Sequence, residues 1–172
     1  MARQTNRPIL HLPLSDADRL LETAAAAGLV FSFLLIALFW ARLPAVVPTH
    51  FGASGRADAW GPKETLLVLP LVVLPLLYIL LTALSRYPWI YNYQVPITEE
   101  NAERQYRIAL SMMRWMKLEM VWLFVFLEWE TVEAGISGAK RLNPWFVPGL
   151  AAGIVLIFGA AAYHLIQAYR AR

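Results

Sequence analysis

Two groups of residues carry side chains capable of chemistry. The first is His50, Asp58, Trp60 and Lys63, set among Pro44, Pro48, Gly52, Gly55, Gly61 and Pro62 between two apolar runs. A histidine with a nearby aspartate can act as a general base that the carboxylate orients. The same pair, completed by Glu130 or Glu133, would offer a cation nitrogen and oxygen ligands. The second group lies on one later segment: Arg114, Lys117, Glu119, Glu128, Glu130 and Glu133. At about 100° per residue, Glu119, Glu130 and Glu133 fall within about 60° of one another, with Arg114, Lys117 and Glu128 on a roughly opposite stripe. An ionisable residue at the centre of a membrane span costs about 2.5–3.5 kcal/mol and is read as functional by default. One use of the stripes is a polar seam for an ion, a proton or a polar ligand. The other is structural, with Arg114 and Lys117 snorkelling to the surface and Glu119 paired internally. The uncharged runs of the other spans offer these residues no charged partner.

The spacing excludes several chemistries. There is no His-x-x-His or His-Glu-x-x-His, no serine elbow, no phosphate-binding loop and no dinucleotide fingerprint. His11 stands in a polar tail and His164 near the far end of the last apolar run. No metal site or cofactor is therefore expected, and the loop reads first as a shape held by its own hydrogen bonds. Gly52 and Gly55 allow positive φ there, Asp58 caps a turn and Trp60 anchors in headgroups. The absence of cysteine removes disulfides, thiolate ligands and a cysteine nucleophile. The net charge of +3 contains no long basic run, so a nucleic-acid partner is not expected.

The elements that must position these residues are membrane helices. The chain is 59% hydrophobic over 172 residues, with a mean hydropathy of +0.50, and the excess lies in runs. The expected fold is an all-α membrane protein, one polytopic domain over 1–172, with spans near 23–41, 65–85, 108–128 and 144–169. An ordered extracytoplasmic loop over 42–64 joins the first two helices. Ser15, with Asp18 three residues on, caps the first helix, and Ala24 and Gly28 form a helix-contact pair. Pro70 and Pro75 predict kinks in the second span. Tyr87, Trp89, Tyr91 and Tyr93 predict an interfacial segment, in preference to a strand. Thr98 is the expected N-cap of a long third helix that starts with Glu99, Glu100 and Glu103. Gly149 and Gly153 form a GxxxG pair suited to close packing, within one chain or in a homo-oligomer. With both termini inside, Arg3, Arg7, Arg19, Arg86, Arg104, Arg107, Arg170 and Arg172 face Arg42, Arg56, Lys63, Lys140 and Arg141 outside. The positive-inside rule thus favours cytoplasmic termini and an outward loop.

The string L-P-x-x-V-P-T-H-F-x-x-x-G-x-x-D-x-W-x-x-K, from Leu43 to Lys63, resembles the signature of the domain of unknown function 1648, found at the start of SdpI-type bacterial membrane proteins. His50, Phe51, Gly55, Asp58, Trp60 and Lys63 carry the likeness. Gly52 stands where that pattern often has asparagine. The resemblance implies a multi-pass protein of the bacterial inner (cell) membrane, in a family where some members confer immunity to a secreted peptide toxin. The chain lacks the additional helices of the longer members. The expected function is a binding or signalling module, with toxin immunity as one form. In it His50, Asp58, Trp60 and Lys63 contact a secreted peptide or a membrane partner protein, and Glu119, Glu130 and Glu133 receive a cationic group. The alternatives are an outer-leaflet enzyme, metal-assisted through His50 and Asp58, and a small proton- or ion-linked transporter using Arg114, Lys117 and Glu119. A transporter should draw polar groups from several helices, whereas the sequence concentrates them on one.

Overall fold

The computed structural model describes residues 7–52 and 54–171; Arg3 and Arg172 lie outside the described residues. The protein is mostly helical. Helix α1 (Asp16–Phe39) leads through a short 3-10 turn into strands β1 (Val46–Phe51) and β2 (Ala57–Pro62), and helix α2 (Leu74–Leu84) follows. Helices α3 (Ala102–Ser137) and α4 (Phe146–Arg170) complete the chain. Three helical segments, Asp16–Arg42, Lys63–Leu84 and Phe146–Arg170, are long and apolar enough to cross a bilayer. The protein reads as a multi-pass membrane protein on that basis.

Each helix follows from its sequence. Ser15 Oγ accepts from the Asp18 amide at 3.1 Å and Asp18 Oδ2 accepts from the Ser15 amide at 3.0 Å, so the expected capping box is present. The second span is α-helical only from Leu74. Before it lie a 3-10 turn over Lys63–Leu67 and a π turn over Leu69–Val73. Pro70 and Pro75 have no N–H for the α ladder, and the wider turn absorbs the register they break. The cap of α3 is Asn101, not Thr98: the Thr98 amide donates to Asn101 Oδ1 at 2.9 Å, and Asn101 Nδ2 donates to the Pro96 carbonyl at 3.0 Å. Gly138, at φ 65°, ends α3 in the left-handed conformation that favours glycine. Tyr87–Tyr93 forms no strand; a single 3-10 turn, Pro88–Ile90, lies within it.

Helix α3 is the centre of the bundle, and α1 and α4 pack along it. A Cβ on Gly28 would stand 2.6 Å from Val121 Cγ1. Cβ atoms on Gly149 and Gly153 would stand 2.9 Å from Phe126 Cζ and from Leu123 Cδ1. The small residues of both outer helices therefore seat side chains of α3 within one chain. Leu74, Val121 and Val125 form the buried apolar centre, with Leu29, Leu69 and Phe124 against it. Large apolar side chains such as Leu76, Ile79 and Leu80 on α2, and Val155, Leu156 and Phe158 on α4, point outward, as a lipid-facing surface requires. Trp115, Trp122 and Trp129 also face outward from α3. Trp122 Nε1 reaches across to the Ala24 carbonyl at 3.0 Å.

The purely α-helical expectation is corrected at the signature loop, which is a two-stranded antiparallel hairpin. Gly55, at φ 71°, closes its turn by donating to the Gly52 carbonyl at 2.8 Å. The chain after α3 runs along β2: the Ala57 amide donates to Lys140 at 3.1 Å and the Leu142 amide to Gly55 at 2.9 Å. Val47 is fully buried against Gly135 of α3, which fixes the hairpin to the bundle.

Candidate functional site

The signature residues take up two different roles. His50 and Asp58 face one another across the hairpin, with Nδ1 to Oδ1 at 2.5 Å, and their side chains are 68% and 52% exposed. Among the described residues His50 Nε2 has no partner. Gly52 leaves the space that Asp58 uses, since a Cβ there would stand 2.9 Å from Asp58 Oδ2. Trp60 is exposed beside them. Lys63 instead is an anchor. Its Nζ donates to the Trp40 carbonyl at 3.2 Å and lies 4.5 Å from the centre of the Trp40 ring. The lysine thereby ties the end of α1 to the base of the hairpin.

The acidic stripe does not act as one surface. Glu130 is buried beside Glu133 and the Asn143 backbone, while Glu133 is exposed. Glu119 lies three turns away, about 16 Å along the axis at a rise of about 1.5 Å per residue. Among the described residues no three His, Asp or Glu side chains gather as metal ligands.

The opposite stripe holds the interactions that the sequence did not reveal. Arg114 Nη1 donates to Asp18 Oδ1 at 2.8 Å, and its Nε lies 3.7 Å from Glu22. Lys117, fully buried, donates to Glu22 Oε2 at 2.5 Å and to Thr82 Oγ1 at 2.9 Å. Its ammonium also sits 4.5 Å from the centre of the Tyr78 ring. Neither base snorkels, and the expected lack of charged partners is overturned. Helix α1 begins at Asp16, before the uncharged run, and its first turns carry Asp18 and Glu22 into the bundle. The signal was a matching of spacings: acids four apart on α1 and bases three apart on α3 each share a face.

Of these groups Glu22, Thr82 and Arg114 line a cleft of about 580 Å³ at the N-terminal end of α1, walled by Leu10, His11, Ser85 and Arg86. Farther along the same α1–α3 contact, Ser32 donates to the buried Glu128. Val121 and Val125, which form the apolar cluster with Leu74 of α2, lie on α3 between Lys117 and Glu128, so the two polar regions are separated by dry packing. His164 stands apart from both. Its Nδ1 donates to the Ala160 carbonyl at 2.8 Å, which leaves Nε2 to accept from Ser111 at 3.1 Å.

Comparison with known proteins agrees with the hairpin signature. An uncharacterized protein of Archaeoglobus fulgidus is 36% identical over 87 residues, which are 46% of this chain and 48% of that protein. The chain thus spans about half the length of the curated relative it matches. The likeness to an archaeal protein means that similarity of this kind is not confined to bacteria. No solved structure matches. Residues 27–74, from the middle of α1 through the hairpin to the start of α2, match the family described as domain of unknown function (DUF1648).

Proposed function

We propose that the protein is a binding module of the cell membrane, with four crossings, cytoplasmic termini and an outward-facing hairpin that contacts a secreted peptide or a membrane partner. Immunity to a peptide toxin is the form of this activity that the signature favours. The observation that carries the reading is the exposed His50–Asp58 pair. An exposed ion pair adds little to stability, about 0–1 kcal/mol. The hairpin is already held by backbone bonds to Lys140 and Leu142 and by the Lys63 anchor. Two polar side chains joined to each other on a rigid, exposed turn, with Trp60 beside them, form a contact surface that folding does not require. The four-crossing topology counts α3 as a span, its charges neutralised by α1. The test is protection of a sensitive host against membrane-active secreted peptides. Wild-type protein should protect, and a His50→Ala, Asp58→Ala double variant at equal membrane level should not. Equal protection by both would remove the hairpin from the function.

A second reading, an ion- or proton-linked transporter, is favoured by the convergence of Asp18, Glu22, Thr82, Arg114 and Lys117 from three helices. In it, the apolar cluster above Lys117 is a closed gate. Flux into proteoliposomes should then fall in a Lys117→Met, Glu22→Gln variant, and unchanged flux would rule this pathway out.

A further inference from the structure

Arg56, immediately before β2, and Arg141, between α3 and α4, stand opposite one another in an antiparallel bridge. The backbone bonds flank the pair: the Ala57 amide donates to the Lys140 carbonyl and the Leu142 amide to the Gly55 carbonyl. This is the non-hydrogen-bonded kind of pairing, in which opposing side chains share a face and come closest. Like charges placed this way repel. Both arginines are exposed. Among the described residues no carboxylate pairs with either guanidinium, and the one acid of β2, Asp58, is taken by His50. Folding alone does not explain two unneutralised cations held side by side. An anion between them would turn the repulsion into attraction, and guanidinium forks match the oxygens of a phosphate.

The position of the pair along the bundle identifies the source of that phosphate. Two residues after Arg141, Asn143 closes the turn into α4. Its Oδ1 accepts from the Trp145 amide at 3.0 Å and its carbonyl from the Phe146 amide at 2.9 Å. Helix α4, starting at Phe146, is one of the segments long and apolar enough to cross a bilayer. Trp145, 77% exposed at its start, carries the amphipathic ring that favours the headgroup layer. Arg141 precedes it by four residues, a reach of at most about 14 Å. The two arginines therefore stand where lipid phosphates are concentrated. An anionic lipid suits them better than a zwitterionic one, because it returns no ammonium to the pair.

We propose that Arg56 and Arg141 clamp the phosphate of an anionic phospholipid in the leaflet at the hairpin end, and so pin the hairpin to the bilayer surface. The clamp does not depend on what His50 and Asp58 contact.

The test is hydrogen exchange of the intact protein in phosphatidylcholine nanodiscs with and without phosphatidylglycerol. Exchange over residues 55–57 and 140–142 should slow about fivefold when phosphatidylglycerol is present, the effect of about one cation at an anionic surface. An Arg56→Gln, Arg141→Gln double variant should lose that difference. Lys140→Gln, which removes an exposed cation one position out of the bridge, should keep it. The double variant also relieves the repulsion, so in phosphatidylcholine it should unfold no more readily than wild type, which separates loss of the clamp from misfolding. No effect of phosphatidylglycerol on the wild type, or equal loss in Lys140→Gln, would overturn the clamp. Equal protection by soluble polyglutamate in phosphatidylcholine nanodiscs would assign the pair to an acidic peptide and overturn the lipid. A His50→Ala, Asp58→Ala variant should respond to phosphatidylglycerol as wild type does, so failure here and failure of the hairpin reading are distinguishable.

Discussion

Removing Glu22 from the Glu22–Lys117 pair should cost more than removing both partners. Lys117 is fully buried and Glu22 is 21% exposed, so the two single variants are not equivalent. In Glu22→Gln the buried ammonium loses its counter-charge and keeps the neutral Thr82 hydroxyl and the Tyr78 ring, with at best an amide oxygen in place of the carboxylate. Breaking a buried pair in this way costs about 3–5 kcal/mol, and we expect about 3 kcal/mol because those two neighbours remain. In Lys117→Met the carboxylate keeps partial access to solvent and Arg114 Nε at 3.7 Å, and we expect about 2 kcal/mol. The double variant loses both charges together and leaves a packed, neutral contact, at about 2 kcal/mol. The resulting coupling is about 3 kcal/mol, or roughly 150-fold in the folded-to-unfolded ratio. Reversible unfolding in mixed micelles, followed by tryptophan fluorescence, measures all four proteins. Additive effects, or single variants each within about 0.5 kcal/mol of wild type, would refute the assignment of these charges as a desolvated pair.

Three further outcomes follow from the geometry. Gly28→Ala should destabilise by about 1–3 kcal/mol, because its methyl meets the short, stiff Val121 side chain at 2.6 Å; Val121→Ala in the same chain should recover part of the loss in the same unfolding assay. Lys63→Met should cost about 1–2 kcal/mol through the lost Trp40 contacts, and hydrogen exchange should rise over residues 46–62 while α3 stays protected. Burial pushes the Tyr93 hydroxyl above its usual pKa, so the folded state holds that proton more tightly than the unfolded state. The associated stability is complete below about pH 10 and falls as pH rises beyond it. A Tyr93→Phe variant should show a flatter alkaline limb in thermal unfolding, and an unchanged limb would contradict the burial of that hydroxyl.

What could be read from the chain and what could not divide along physical lines. Uncharged runs, the Ser15–Asp18 capping box, the prolines of the second span and the glycine pairs act over a few residues, and each could be read where it stands. The string around His50 was recognisable for the same reason. The strands were not: Ala57–Pro62 has little intrinsic preference for extension, and it is a strand because β1 pairs along it and the Lys140 carbonyl holds its first residue. The fate of the charged residues was not legible either. Helical phase placed Arg114, Lys117 and Glu128 on one face, yet phase is silent on axial register. Which acid meets which base depends on how far α1 slides along α3, and that is set by Gly28 on Val121 and Trp122 on Ala24, contacts between residues more than ninety positions apart. The same register leaves Glu119 in an apolar groove and Lys63 on Trp40. The sequence by itself determined that these helices form and which faces are polar. Only the tertiary structure decided which polar groups are neutralised and which stay apart from the ion cluster, because desolvation and pairing depend on distances that no local pattern specifies.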